Sequence, residues 1–174
     1  MFRLRGRTVG LVGFGKIPRL VAAKAQAFGL NVVAFDPYIE PSDAASLGVE
    51  LLSLEELMAN SDFVSIHTPL TPETRHMIGA DVLAGMKPEA MLINTARGGL
   101  VDVDALADAL DAGSLAGAGL DVLPDEPPTA DLRLMDRDNV ILTPHTAFYS
   151  EQSMIDLQAK AAQQVALVLA GEQP

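Results

Sequence analysis

The chain has 174 residues, a formal net charge of −11 and no cysteine. That length supports one domain with a core of its own. The acidic balance opposes nonspecific binding to nucleic acid, and the lack of cysteine excludes disulfides, thiolate nucleophiles and cysteine-ligated zinc.

At the start, Arg3, Arg5 and Arg7 imitate the basic head of a signal peptide, but Gly10, Gly13, Gly15 and Lys16 break the apolar run behind them. No apolar stretch reaches the length of a membrane span, so a cytoplasmic protein is expected. A first strand is predicted over 8–12, followed by Gly13-Phe14-Gly15-Lys16-Ile17-Pro18 and a helix over 16–28 that stops at Gly29. The next strand, 32–35, ends at Asp36. Ser53-Leu54-Glu55-Glu56 is a capping box that opens a helix toward Met58. Further strands are predicted over 63–67, 91–94, 117–120 and 140–142. All are rich in Val, Ile or Leu and lack polar alternation, as strands do when helices cover both faces of a parallel sheet. Asp102 caps a helix over 103–112 that ends at Gly113, and a last helix starts after Ser150 and runs to Ala170, before Gly171. Residues 123–139, with Pro124, Pro127 and Pro128, form a long irregular loop of the kind that carries function. Alternation of strand and helix predicts a doubly wound α/β fold with a parallel sheet, in one domain over 1–174.

The glycines at 13 and 15 let the chain turn tightly and bring backbone N–H groups to a pyrophosphate at a helix N-terminus. Alone they equally describe a plain strand–helix turn. Asp36 stands about 20 residues downstream, where a carboxylate accepts hydrogen bonds from the adenosine ribose. The same charge repels a 2′-phosphate, and Pro37-Tyr38 supply no compensating arginine, which favours NAD over NADP. Read without that spacing, Asp36-Pro37 is a turn. The third glycine of the fingerprint is replaced by Pro18, whose ring is expected to push the helix away from the sheet and weaken pyrophosphate binding.

Three later segments complete the pattern: Asn94-Thr95-Ala96-Arg97-Gly98-Gly99-Leu100-Val101-Asp102, then Gly119-Leu120-Asp121-Val122 with Asp125-Glu126-Pro127, then Thr143-Pro144-His145-Thr146-Ala147. In this order after Gly-x-Gly, they resemble the D-isomer-specific 2-hydroxyacid dehydrogenases over essentially the whole chain. Residues 143–152 and 27–32 look most like the C-terminal binding protein branch of NAD-dependent corepressors.

Reduction of a 2-oxoacid needs a cation for the carboxylate, a proton donor for the ketone and a hydride. Arg97 offers a planar fork to a carboxylate, His145 a general acid or base, and Glu126 a partner that holds the imidazole in its protonated form. Taken singly, Arg97 also reads as a loop charge, Glu126 as a solvated acid and His145 as a surface residue. The resemblance assigns catalytic roles to all three. It further implies that Asp121 contacts the nicotinamide amide, that Lys16 and Ile17 meet the pyrophosphate, and that Thr68, Thr95 and Ala96 line the cofactor groove. Phe148 matches a position that lines the substrate pocket in the corepressor branch. His67 and His76 read as structural, and the three histidines are too dispersed for a metal site.

The resemblance also implies homodimerisation and a second α/β domain for substrate, which this sequence is expected to lack. Three readings compete: the coenzyme half of a 2-hydroxyacid dehydrogenase, an NAD-responsive scaffold, and an NAD-binding remnant without activity.

Overall fold

A computed structural model describes residues 3–173. The chain forms two compact units, Met1–Pro144 and His145–Pro174. In the first, the strands are β1 (Thr8–Val12), β2 (Asn31–Phe35), β3 (Glu50–Leu51), β4 (Phe63–Ile66), β5 (Met91–Asn94), β6 (Gly117–Leu120) and β7 (Val140–Leu142). Between them run α1 (Lys16–Ala27), α2 (Pro41–Ala45), α3 (Leu54–Asn60), α4 (Ala80–Ala84) and α5 (Val103–Asp111), with a 3₁₀ turn at Gly98–Leu100. The second unit holds α6 (Glu151–Leu169). No helix among the described residues is long and apolar enough to cross a membrane.

All neighbouring strands pair in parallel, in the order β3-β2-β1-β4-β5-β6-β7. This is the doubly wound sheet expected from the sequence. Successive residues of a strand face opposite sides, and the core divides accordingly. Leu11, Ala34 and Phe14 pack with Ala22 of α1 and Ala44 of α2, whereas Val12, Val64, Ile66 and Leu92 pack with Leu57 of α3 and Leu106 of α5. Gly10 makes one of these contacts possible: a Cβ there would come within 2.6 Å of Leu57 Cδ2 and 2.3 Å of Ser61 Oγ. A side chain at that position would hold α3 off the sheet.

The predicted helix ends are present. Ser53 and Glu56 form the reciprocal capping box of α3, and the Asp102 side chain accepts from the N–H groups of Asp104 and Ala105 at the start of α5. Gly29 has φ +80°, and Leu30 N–H bonds to Ala25 C=O to close α1. Strand β2 begins one residue earlier than expected, and β4 stops at Ile66, leaving His67 just beyond it. The short elements α2, β3 and α4 were not anticipated. Too short to show a period, β3 exists only because Glu50 and Leu51 pair with Val33 and Ala34 at the sheet edge.

The irregular segment 123–139 contains no helix or strand, yet it is anchored. Arg133 bridges Asp108 and Asp111 of α5 at 2.7 and 2.9 Å, Arg137 reaches Asp111 at 2.8 Å, and Leu134 is buried.

At the amino ends of the strands, Asp62 ties three segments together. Its carboxylate accepts from Thr8 N–H (2.8 Å) and Arg7 Nη1 (2.9 Å) and lies 3.4 Å from Lys87 Nζ. Burial alone would raise its pKa, but the Thr8 amide and the two cations outweigh it and hold the carboxyl below the usual carboxylate range. A depressed carboxylate stabilises the fold above its unfolded pKa and loses that contribution as pH falls through the folded one. Asp62→Asn should therefore cost about 1.5–3 kcal/mol at neutral pH. Urea unfolding at pH 7 and pH 3 is expected to show the gap between wild type and variant shrinking in acid.

Candidate cofactor-binding site

The strand order reverses beside β1, where β2 leads one way and β4 the other. In open parallel sheets the crevice at the carboxyl ends of two such strands receives the ligand. Here its floor is two stretches of backbone in contact. Gly13 has φ +95°, and a Cβ on it would lie 3.1 Å from His67 C and O and Thr68 N. Val12 C=O accepts from both His67 N–H (2.7 Å) and Thr68 Oγ1 (3.0 Å), and Gly13 N–H donates to Phe35 C=O (2.8 Å). Gly15, two residues on, has nothing within 4 Å of where its side chain would be.

Two adjacent cavities open above this floor and share His67, Thr68 and Pro69. The smaller, of about 470 Å³, is lined by Gly13, Gly15, Asp36 and Tyr38, among others. The larger, of about 620 Å³, is lined by Ile17, Leu70, Thr95, Ala96 and Arg97 besides the shared residues. Eight predicted site residues thus line these two adjoining cavities, which together form the candidate groove: Gly13, Gly15, Ile17, Asp36, Thr68, Thr95, Ala96 and Arg97. Lys16 is exposed in the first turn of α1 and lines neither cavity.

Asp36 has a structural task in the glycine loop. Its Oδ2 accepts from Phe14 N–H (2.8 Å) and its Oδ1 from Tyr38 N–H (2.9 Å). Each carboxylate oxygen keeps a lone pair for a ribose hydroxyl. The carboxylate that would read the ribose also holds the glycine loop in shape.

Pro18 occupies a position where proline is tolerated. It is buried in the first turn of α1, where an N–H has no intrahelical partner, and Ala22 one turn later is fully packed against the sheet.

At the far end of the groove, Asn94 organises the turn that carries Arg97. It is 1% exposed; its Nδ2 donates to Arg97 C=O (2.9 Å) and its Oδ1 accepts from Ala96 N–H (3.0 Å). The Arg97 guanidinium is exposed and donates to Ala96 C=O. Gly98 behind it is essential, since a Cβ there would lie within 2.0 Å of Leu123 C. That contact brings the Arg97 turn against the start of the 123–139 loop, where Leu123 N–H donates to Glu126 Oε1 (3.1 Å). Asp121 is buried at the carboxyl end of β6 and receives Thr143 Oγ1 at 2.5 Å. It is not among the residues lining either cavity.

His67, which reads from sequence as structural, lines both cavities. Its Nε2 is 2.9 Å from Ser65 Oγ, and burial pushes the imidazole below its ordinary pKa, so a neutral ring sits between the two cavities. The signal for it was position: a polar residue directly after a central strand on the ligand side of the sheet. Asn94 was also missed, because its role lies in backbone contacts that no motif records.

His145 and Phe148 belong to the second unit. His145 adopts φ +54°, a left-handed conformation uncommon outside glycine, and its ring meets Phe148 edge-on at 6.2 Å. Phe148 is half exposed, and its carbonyl accepts from Ser153 Oγ (2.8 Å) beside the Ser150–Ser153 cap of α6.

Comparison with known proteins agrees with this architecture. The family model described as D-isomer specific 2-hydroxyacid dehydrogenase, NAD binding domain, matches residues 1–147. The D-3-phosphoglycerate dehydrogenase of Mycobacterium leprae is 47% identical over 167 residues, 96% of this chain but 31% of that protein. The chain therefore spans about a third of the length of the curated relatives it matches. Among solved structures, the TT0316 protein of Thermus thermophilus superposes with a TM-score of 0.90 at 42% identity, covering 99% of this chain and 53% of that one. The NAD-complexed D-isomer specific 2-hydroxyacid dehydrogenase of Lactobacillus delbrueckii ssp. bulgaricus superposes at 0.87 with 37% identity, covering 97% and 55%. The curated relative is a phosphoglycerate dehydrogenase, and these likenesses give no support to the corepressor branch suggested by residues 143–152.

Gly13 offers a direct check on the crevice. Gly13→Ala imposes a side chain on a left-handed residue and drives it into the His67–Thr68 backbone, so it should destabilise the fold by roughly 1–3 kcal/mol. Denaturant unfolding should register that loss, and NADH titration of the folded fraction should show weakened binding.

Proposed function

The chain belongs to the D-isomer specific 2-hydroxyacid dehydrogenases, as their NAD-binding domain, and from that premise we propose that it is the coenzyme half of an enzyme interconverting 2-hydroxyacids and 2-oxoacids. One observation carries the reading. The groove that begins at Asp36 continues past His67–Pro69 and ends at Arg97. A dinucleotide whose adenosine ribose meets Asp36 would thus extend toward a cation suited to a carboxylate substrate.

The residues fit the cofactor. Gly15 leaves open space beside the loop, and the N–H groups of Lys16 and Ile17 at the start of α1 lie before the first intrahelical bond. NAD(H), when bound, supplies or accepts the hydride. Asp36 would hold the adenosine ribose, Lys16 and Ile17 would offer backbone N–H groups to the pyrophosphate, and Thr68, Thr95 and Ala96 would flank the cofactor. Asp121, secured by Thr143, would accept from the nicotinamide amide. For substrate, the Arg97 fork would bind the carboxylate, with its turn stiffened by Asn94. The resemblance extends the proposal to His145 as the group that would give a proton to the ketone oxygen during reduction and withdraw it during oxidation, to Glu126 as an acidic residue of the catalytic set, and to Phe148 as apolar surface for the substrate. The resemblance extends the proposal to a homodimer, which sedimentation velocity would test.

NADH should bind more tightly than NADPH, because Asp36 accepts from the ribose hydroxyls and repels a 2′-phosphate. Asp36 also holds Phe14 and Tyr38, so Asp36→Ala should weaken both cofactors, and the diagnostic is the ratio. NADH should lose about 1.5–3 kcal/mol, NADPH less, with calorimetric titration of both showing the preference narrow. Equal affinities in the wild-type chain would count against the assignment of Asp36.

Turnover is the stricter test. Arg97 is exposed, and water at an open face screens its charge and loosens substrate orientation, where a misplacement of about 1 Å costs roughly 10²-fold. The 174-residue chain should bind NADH yet oxidise it negligibly with a panel of 2-oxoacids. Brisk oxidation would show that no further domain is required, and absence of binding would overturn the cofactor reading.

A further inference from the structure

The residue after Pro18 has an unusual attachment. Arg19 sits in the first turn of α1, half-buried, and its side chain reaches back across the glycine loop. Nε donates to Phe14 C=O at 3.2 Å, and the guanidinium lies 5.5 Å from the centroid of the fully buried Phe14 ring. On the other side of the same residue, Phe14 N–H donates to Asp36 Oδ2 at 2.8 Å. Both peptide groups flanking Phe14 are therefore held by side chains: the 13–14 peptide by Asp36 and the 14–15 peptide by Arg19.

The second of these has a directional consequence. The peptide between Phe14 and Gly15 is trans, so its C=O and N–H point to opposite sides. A carbonyl drawn to Arg19 turns the Gly15 N–H away from Arg19, at a residue that lines the smaller cavity and has open space beside it. Rotation of this peptide would cost the Arg19 hydrogen bond. Pro18 makes that orientation matter more. Proline carries no N–H, so the helix N-terminus presents one amide donor fewer than a glycine at this position would give it. The anion-facing donors left at the start of α1 are those of Gly15, Lys16 and Ile17.

We propose that Arg19 is a positioning residue for the pyrophosphate of the dinucleotide, acting through the Phe14–Gly15 peptide to aim the Gly15 N–H, and that it offsets the donor removed by Pro18. The proposal rests on the reading that the loop at 13–17 receives the pyrophosphate. It is distinct from a general role in packing, because it concerns phosphate-bearing ligands and leaves the adenosine subsite around Asp36 untouched.

The test compares two ligands on the 174-residue chain. Arg19→Met keeps the apolar stem and removes the donor, and Arg19→Lys keeps the charge but not the planar stack. NADH is titrated by calorimetry, and adenosine, which carries no phosphate, by chemical-shift perturbation. Arg19→Met should weaken NADH about tenfold, the size expected for one lost hydrogen bond, while adenosine binding stays as in wild type; Arg19→Lys should fall between. Pro18→Ala should restore a donor, so the same Arg19→Met change should cost less in that background. If NADH and adenosine weaken equally, Arg19 merely supports the fold of the loop and the proposal is wrong. It is equally wrong if Arg19→Met binds NADH as wild type does, or if Pro18→Ala leaves the cost unchanged. Should Arg19→Met fail to fold, the Arg19→Lys titration decides on the same criterion. Failure of the wild-type chain to bind NADH would instead overturn the cofactor reading and this inference with it.

Discussion

The architecture hinges on the close approach of two backbone segments where the sheet changes direction. Val12 and Gly13 leave β1 directly against His67 and Thr68 leaving β4, with Val12 C=O shared between two donors from the second segment. Only a residue without a Cβ, free to adopt positive φ, allows this spacing. Because β2 and β4 lie on opposite sides of β1, the connections that follow them diverge, and the space between them becomes the groove. The alignment of Asp36 at one end and Arg97 at the other follows from parallel strands of similar length ending at the same edge.

Much of the precision in this groove comes from side chains that bind backbone. Asp36 fixes the glycine loop and Asn94 shapes the turn before Arg97. Such contacts are short and directional and are shielded from solvent to varying degrees, so they keep a site ordered before any ligand arrives. They also complicate mutagenesis, because a variant of Asp36 changes both a ligand contact and the loop that presents it. Ratios between related ligands are more informative here than single affinities.

The long segment after β6 shows how an irregular loop can be ordered without secondary structure. Gly98 lets Leu123 press against the Arg97 turn, Leu134 is buried in the core, and Arg133 and Arg137 pair with acids of α5. The ion pairs are exposed, and exposed pairs contribute little stability singly. Their effect is to define where the loop runs. Glu126 thereby stays near the end of β6, with its carboxylate receiving Leu123 N–H.

Local rules were enough to read much of the chain from its sequence. The capping box at Ser53 and Glu56, the Asp102 cap, the glycine stops and the long apolar strands each depend on neighbours within a few residues, so their signals are local and were correctly placed. The glycine loop and Asp36 were legible for a similar reason: they follow strands at a spacing set by one strand–helix–strand unit. What sequence could not show was contact between residues distant along the chain. The two-residue β3 exists only through its pairing with β2. His67 reaches the groove because its strand ends there. Arg19 meets Phe14 only after the loop has turned back on the helix. The sequence by itself determined the elements, their order and the residue types available for chemistry. Tertiary structure decided which backbone groups are held, and by which side chains, because those choices depend on distances that exist only once the sheet has formed.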